Sequence, residues 1–148
     1  MKDNSIYRLN QNSGYLLMRA AQTYRGAIAQ ALKPHDLTPT QFFIIMSVWF
    51  YEGQAMRPTQ AQVADSAATD INVASQVIRR LCAQNILERA VKVDDSRAYV
   101  LSLTKEGREL ARTSSASVQL CHAQLFGTID EGALQSGLRQ FLTKNNKE

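Results

Sequence analysis

Residues 70–104, DINVASQVIRRLCAQNILERAVKVDDSRAYVLSLT, change their hydrophobic period partway along. From Ile71 to about Gln84 the apolar residues recur every three or four positions, which is typical of an amphipathic helix. From Arg89 to Asp94 and from Arg97 to Thr104 apolar and polar residues alternate, as they do in strands. Asp94-Asp95-Ser96 separates the two strands as a polar turn. We therefore expect a helix followed by a β-hairpin.

A shorter helix is expected directly before this one. Thr59 and Gln62 stand three residues apart, which is the spacing of a capping box, and the helical pattern runs from Gln60 to about Ala67. Thr69-Asp70, a pair that favours turns and caps, separates it from the next helix. Two short abutting helices followed by a hairpin are typical of a winged helix-turn-helix.

Longer helical patterns flank this central unit. A helix from Asn10 to Leu32 precedes it, and a second, nearly all-apolar helix begins after Thr38, with Pro39 in its first turn and Gln41 completing a capping box. After the hairpin come a helix from Lys105 to about Thr128 and a last one capped by Asp130. The predicted fold is mainly α with a small two-stranded β wing.

Composition indicates the broad class of protein. The 148 residues, 45% hydrophobic and 20% charged, fit one ordinary domain. The longest uncharged apolar run, Phe42 to Phe50, is about half of a membrane span, and the polar start has no signal-peptide pattern. We expect a cytoplasmic protein with no membrane partner. A net charge of +4 permits weak affinity for polyanions.

Motifs for catalysis or metal binding are not found in the sequence. His35 and His122 belong to neither an HxxxH nor an HExxH arrangement, and there is no GxSxG, Walker or GxGxxG motif. We therefore expect no enzyme, no catalytic residue, no metal site and no cofactor. Cys82 and Cys121 form no close pair, so we expect buried free thiols. A reactive thiol is the alternative, since basic residues lie close to Cys82.

The polar face of the second short helix offers candidate DNA contacts. Its amides can pair with adenine, its arginines with guanine or phosphate, and its serine with either. Lys92 and Arg97 flank the hairpin tip, where a carboxylate beside Arg97 can orient the guanidinium for a narrow minor groove. A solvated helix face is the alternative. The candidate residues on the helix and at its border are Asn72, Ser75, Gln76, Arg79 and Arg80.

A cavity for a small effector is a further hypothesis. Tyr15 and Trp49 are candidates to line it, and Arg19 or His35 to meet an anionic group. Ordinary core and surface roles are the alternative for each of these residues.

The chain resembles the MarR family of winged-helix transcription regulators over nearly its whole length. The resemblance rests on residues 37–41, LTPTQ, and on Arg80-Leu81 followed by Ile86-Leu87-Glu88-Arg89. Its most specific part is the wing, where Asp95-Ser96-Arg97 leads through alternating residues to Leu103-Thr104-Lys105-Glu106-Gly107. By position, the resemblance assigns Arg97 to the minor groove with Asp95 as its partner.

The resemblance also implies how such a protein works. It implies a homodimer, paired through N- and C-terminal helices, on pseudo-palindromic double-stranded DNA. A small aromatic or otherwise lipophilic effector would release the DNA. The sequence departs from the family at Gln76, where many members carry Arg, and at Asn85, where Gly is usual although Asn tolerates the left-handed conformation. The first helix has Tyr15 and Tyr24 but lacks the cysteine of peroxide-sensing members.

We therefore expect a single MarR-like domain spanning residues 1–148 that acts as a ligand-responsive homodimeric repressor. Residues 1–33 and 106–146 would form a helical dimerisation region, and residues 37–104 the DNA-binding region. Apolar residues in the terminal helices exceed what one small core needs, which favours pairing with a second copy. One alternative is a regulator switched by oxidation of Cys82 or Cys121. The other is a winged-helix protein-interaction module without DNA binding.

Overall fold

The polypeptide forms six α-helices and one two-stranded antiparallel sheet between residues 9 and 146. The computed structural model describes these residues, with only the backbone described for residues 9 and 95–97. Short 3-10 turns precede and follow the first helix. The elements in chain order are α1 (Ser13–Leu32), α2 (Pro39–Gly53), α3 (Gln60–Ser66), α4 (Ile71–Ala83), β1 (Leu87–Lys92), β2 (Asp95–Leu103), α5 (Lys105–Phe126) and α6 (Glu131–Asn145).

Helices α2 to α6 begin at the residues that the sequence predicts, whereas α1 begins at Ser13, capped by Asn12, rather than at the predicted Asn10. The Thr38 hydroxyl accepts from the Gln41 amide at 3.2 Å while the Gln41 side chain accepts from the Thr38 amide at 2.8 Å, so the capping box of α2 is complete. Thr59 and Gln62 form the same arrangement at α3. Asp130 caps α6 by accepting from a backbone amide at 3.0 Å. The predicted mainly α fold with a β wing is confirmed.

The core is centred on α2. Ile44, Ile45 and Val48 are fully buried there, because α2 lies between α1, α4, β2 and α5. Buried residues from every surrounding element complete one hydrophobic cluster, including Ile28, Leu32, Ile78, Leu81, Leu101 and Ala111. The nearly all-apolar sequence of α2 follows from this central position.

The hairpin is buried only at its base. Leu87 pairs with Leu103 and both are almost fully buried, so β1 starts two residues before the predicted Arg89. Val91 is half exposed and Val93 fully exposed, because the hairpin extends beyond the core. The register is irregular after Val91, and the tip consists of Val93 and Asp94 rather than the predicted Asp94-Asp95-Ser96.

Tight turns join the elements through left-handed residues that are not glycine. Asn85 ends α4 with a φ of 58°, as predicted, and Ala68 has a φ of 49° in the turn between α3 and α4. The amides of Ala68 and Thr69 donate to the last carbonyls of α3, both at 2.9 Å. A left-handed alanine costs about 1–2 kcal/mol, so this turn is held by its hydrogen bonds and by the packing of α3 on α4.

A close backbone approach fixes the start of α5 beside the base of the hairpin. A Cβ atom on Gly107 would lie 2.0 Å from the Ile86 carbonyl oxygen, so only glycine fits there. The Thr104 hydroxyl accepts from the Gly107 amide at 2.9 Å and donates to the Asn85 carbonyl at 2.7 Å. The Thr-Lys-Glu-Gly sequence thus locks the hairpin to α5.

The helix α5 runs without a break through residues 113–117, where its predicted apolar pattern is weak. Ser114 is fully buried there and its hydroxyl donates to the Leu110 carbonyl at 2.6 Å, which satisfies the hydroxyl inside the core. None of the helices among the described residues combines the length and apolar character that crossing a membrane requires.

Candidate nucleic-acid interface

Helix α4 presents its polar face to solvent because its apolar face packs on α3 and α2. Ala74, Ile78 and Leu81 are fully buried. Three of the predicted DNA-binding residues, Asn72, Gln76 and Arg79, follow the opposite side and are exposed, whereas Ser75 is half-buried at the flank.

The first turn of α4 is fixed by Asp70. Its carboxylate accepts from the Asn72 amide at 2.8 Å and from the Val73 amide at 3.3 Å. This N-cap satisfies two of the free amides at the helix start. The side chains of the first turn therefore project from a rigid end rather than from a fraying one.

Two arginines supply positive charge along α4. Arg79 lies along its own helix, with Nε donating to the Ser75 carbonyl at 3.4 Å, and Arg80 is exposed at the border of the polar face. Within residues 10–94 and 98–146 neither guanidinium makes an ion pair with a carboxylate. Both are therefore placed to meet phosphates or base edges.

The wing carries a basic side that includes a residue not predicted from the sequence. The Arg89 guanidinium lies 4.9 Å from the centre of the Tyr99 ring, which holds the cation over an exposed aromatic face. In the strand register Val91 lies opposite Tyr99 and Arg89 opposite Leu101, so Arg89 and Tyr99 form a diagonal cross-strand pair. Lys92 is exposed near the tip.

Asp95 and Arg97 belong to β2, and the structure describes only their backbone atoms. The pairing of Arg97 with Asp95 in the minor groove therefore stays a prediction.

Glu52 joins three elements at the base of the wing, and sequence patterns did not reveal it. One carboxylate oxygen accepts from the Leu103 amide at 2.8 Å, and the other forms a salt bridge with Arg108 at 3.0 Å. Its side chain is only 15% exposed. The only charged residue of α2 thus ties the end of β2 and the start of α5 to the core.

The four predicted effector-binding residues lie in three places. Tyr15 and Arg19 lie together on α1, with the guanidinium donating to the phenol oxygen at 3.4 Å. His35 follows α1, and its Nε2 lies 2.8 Å from the Ser117 hydroxyl of α5. Trp49 is half-buried near the end of α2, where it lines an open cleft of about 660 Å³ beside Glu52.

A largely apolar groove lies between α1 and α6. It has a volume of about 730 Å³, and we call it the terminal groove. Leu16 of α1 and Phe141 of α6 are about half exposed on it, and no residue of α6 is buried. The Tyr24 and Phe126 rings meet edge-on at 5.9 Å at its floor. Its lining is Ser13, Gly14, Leu16, Leu17, Ala20, Ala21, Tyr24, Phe126, Leu134, Gly137, Leu138 and Phe141.

The two cysteines are half-buried rather than fully buried as expected. Cys82 follows Leu81 on α4 and packs at the edge of the core, where it is only partly buried. Burial raises the pKa of the Cys82 thiol above its usual value, and the nearby Arg89 only partly opposes this.

Burial, reinforced by the neighbouring Cys121, likewise raises the pKa of Tyr24. No cluster of three or more potential metal ligands occurs among the described residues.

Comparison with known proteins gives curated relatives and a set of solved structures. No family model matches the chain. YdcH of Bacillus subtilis (strain 168), named an uncharacterized HTH-type transcriptional regulator, is 29% identical over 134 residues. The match covers 90% of this chain and 91% of YdcH.

Three solved proteins share the fold over nearly their full length. CouR of Rhodococcus jostii RHA1, bound to p-coumaroyl-CoA, matches with a TM-score of 0.80 at 23% identity, covering 93% of this chain and 94% of CouR. A MarR-family regulator from Rhodococcus sp. RHA1 matches with a TM-score of 0.79 at 22% identity, covering 93% of this chain and 94% of that protein. BpsR of Bordetella bronchiseptica, whose DNA binding is regulated by 6-hydroxynicotinic acid, matches with a TM-score of 0.79 at 22% identity. This match covers 96% of this chain and 99% of BpsR.

CouR, a transcriptional repressor, is also known bound to a 23-mer DNA duplex. That structure matches this chain with a TM-score of 0.77 at 23% identity, covering 92% of this chain and 96% of CouR. These proteins are transcription regulators, in agreement with the expectation of a protein that is not an enzyme. The chain has the winged helix-turn-helix fold of the MarR-family transcription regulators, and the family resemblance of its sequence is confirmed at the level of the fold.

Proposed function

We propose that this chain is a sequence-specific DNA-binding transcription regulator that acts as a homodimeric repressor. The observation that carries the proposal is the capped, exposed polar face of α4, with Gln76 and Arg79 at its centre and no acidic residue between Ile71 and Ala83. A surface of amides and guanidinium groups on the second helix of a helix-turn-helix suits the major groove.

Each predicted DNA-binding residue has a role in this proposal. Asn72, Ser75 and Gln76 contact base edges, because they lie toward the start of α4, while Arg79 and Arg80 contact guanine or phosphate. On the wing, Lys92 contacts phosphate, and Arg97, oriented by Asp95, enters the minor groove. Arg89 adds a phosphate contact from the exposed face of Tyr99.

The terminal groove supports the proposal of a homodimer. The groove is lined almost entirely by apolar side chains, and contiguous apolar surface beside a helix with no buried residue is typical of an interaction site. A two-fold axis through α1 and α6 would cover it with the same groove of a second copy. The two α4 helices would then meet successive major grooves about 34 Å apart on a pseudo-palindromic operator.

A small aromatic effector is part of the proposal. Two proteins of the same fold support it, since CouR is known bound to p-coumaroyl-CoA and the DNA binding of BpsR is regulated by 6-hydroxynicotinic acid. The effector can release DNA only if it binds the free and DNA-bound arrangements with different affinity. Trp49 is the only tryptophan of the chain, so its fluorescence reports binding at the cleft beside Glu52. Titration with aromatic carboxylic acids should quench Trp49 and weaken DNA binding together.

The test of DNA binding compares the purified chain on its own upstream intergenic DNA and on random duplex at several salt concentrations. We expect a dimer by light scattering, a preference of about 10³-fold or more, and affinity that falls steeply as salt rises. Arg97→Ala should weaken specific binding by about 1–3 kcal/mol. Arg112→Ala is the matched control, because Arg112 pairs with Glu109 on the exposed side of α5.

Two results would contradict the proposal. A folded dimer that binds neither duplex would favour the protein-interaction module. Equal loss of affinity in Arg97→Ala and Arg112→Ala would show that the wing makes no specific contact.

A regulator switched by thiol oxidation of Cys82 or Cys121 is the second candidate, and the raised pKa of Cys82 argues against oxidation at that residue. Oxidation proceeds through the thiolate, which a raised thiol pKa makes scarce at neutral pH. We expect iodoacetamide to alkylate Cys82 more slowly in the folded chain than in the urea-unfolded chain, as followed by mass spectrometry. Faster alkylation in the folded chain would restore the redox hypothesis.

A further inference from the structure

Val73 lies in the first turn of α4 with 47% of its surface exposed. It precedes Gln76 by three residues and Arg80 by seven, so the three side chains form one strip along the helix. This strip borders the polar face and lies away from the buried stripe of α4.

An exposed valine at this position is unfavourable for the folded chain alone. A β-branched side chain is a poor helix former, and its exposed methyl groups contribute little packing. The neighbouring Ala74 already makes the contact with the core from this turn, and it is fully buried. The methyl groups of Val73 are therefore left on the surface that faces DNA in the proposed function.

We propose that Val73 contacts the C5-methyl group of a thymine in the major groove and thereby selects thymine at one position of each half-site. This inference rests on the proposed DNA-binding function of α4. Among the four bases only thymine carries a methyl group in the major groove, and an apolar side chain distinguishes it by direct contact.

Helix geometry places this thymine close to the base pair that Gln76 contacts. Residues three apart on a helix have Cβ atoms about 5–6 Å apart, while successive base pairs rise by about 3.4 Å. Gln76, which favours adenine, and Val73 therefore face base pairs one or two steps apart. The expected half-site contains a thymine one or two base pairs from the adenine that Gln76 contacts.

The experiment begins with a duplex that the wild-type chain selects from a randomised pool. Each thymine of that duplex is then replaced, in both half-sites at once, by deoxyuridine, which lacks only the methyl group. Dissociation constants are measured for the wild type, Val73→Ala and Val73→Thr. Val73→Thr keeps one methyl group in nearly the same shape, and circular dichroism checks that each variant is folded.

At one thymine position the wild type should lose about fourfold in affinity per half-site, or about fifteenfold for the duplex. Val73→Ala, whose single methyl group lies closer to the helix backbone, should lose most of this difference, and Val73→Thr should keep more of it. Ile71→Ala is the matched control, since Ile71 is 45% exposed in the same turn but lies on the other flank of α4. That variant should retain the full uracil effect.

The outcomes separate this inference from the proposed function. Failure to select any duplex would overturn both. Selection of a duplex whose uracil effects are absent, or are unchanged in Val73→Ala, would overturn the thymine contact and leave DNA binding intact. The proposed contact of Val73 with thymine would also be overturned if Ile71→Ala lost the affinity difference between thymine and uracil duplexes while Val73→Ala kept it.

Discussion

The central winged helix and the terminal helices differ in how completely one chain buries them. Ile44, Ile78 and Leu101 of the central unit are fully buried, whereas α6 has no buried residue and the first half of α1 exposes Leu16 and Leu17. The chain thus completes one core around α2, to which the second half of α1 contributes Ile28 and Leu32, but it leaves the first half of α1 and all of α6 without buried residues. In the proposed homodimer a second copy covers these exposed apolar surfaces.

Charge placed in the terminal groove should have the largest effect, because it tests whether this exposed groove forms the dimer interface. Leu16→Asp combined with Leu138→Asp should weaken dimerisation at least about a thousandfold, because it would bury unpaired carboxylates in an apolar interface. Analytical ultracentrifugation would measure the dimer dissociation constant. Leu120→Asp is the control, since Leu120 is exposed on α5 and does not line the groove. An unchanged dimer would place the interface elsewhere.

A cavity in the central unit tests whether the buried core around α2 stabilises the single chain. Ile44→Ala should lower the free energy of unfolding by about 2–5 kcal/mol, because a fully buried side chain loses its contacts. Urea unfolding measured in the monomeric double-aspartate background removes any contribution from dimerisation. A loss below about 1 kcal/mol would mean that α2 is not the centre of the core.

The contact between Glu52 and the base of the wing should have a smaller effect. Glu52→Ala should cost about 1–3 kcal/mol in urea unfolding, because the Leu103 amide loses its acceptor and Arg108 its partner. Glu109→Ala is the matched control. It removes the exposed ion pair with Arg112 and should leave the free energy of unfolding nearly unchanged, because solvent screens exposed pairs. Equal costs would show that Glu52 acts as an ordinary surface charge.

Features set by neighbouring residues were predictable from the sequence. The capping box at Thr38, the left-handed Asn85 and the order of helices and hairpin each depend on a few adjacent positions, and all are confirmed. The alternation that predicts the hairpin held as well, although it could not show that Val93 would extend past the core.

Features set by tertiary contacts were not predictable from the sequence. Glu52 meets Leu103 and Arg108 from more than fifty residues away, and no local pattern marks that pairing. The stacking of Arg89 on Tyr99 depends on strand register, which is fixed by the buried pair at the hairpin base. The scattered placement of Trp49 and Arg19 likewise follows from the packing of whole helices.

The unbroken helix α5 connects the two regions as a lever. Its 22 residues run from the base of the wing, where Gly107 and Arg108 hold it, to Phe126 at the terminal groove. At about 1.5 Å per residue the helix is roughly 33 Å long. A tilt of about 5° at one end would therefore move the other end by about 3 Å, close to the ~3.4 Å rise of one base pair. In the proposed DNA complex, slight repacking at the groove would be enough to shift the wing by about one base step.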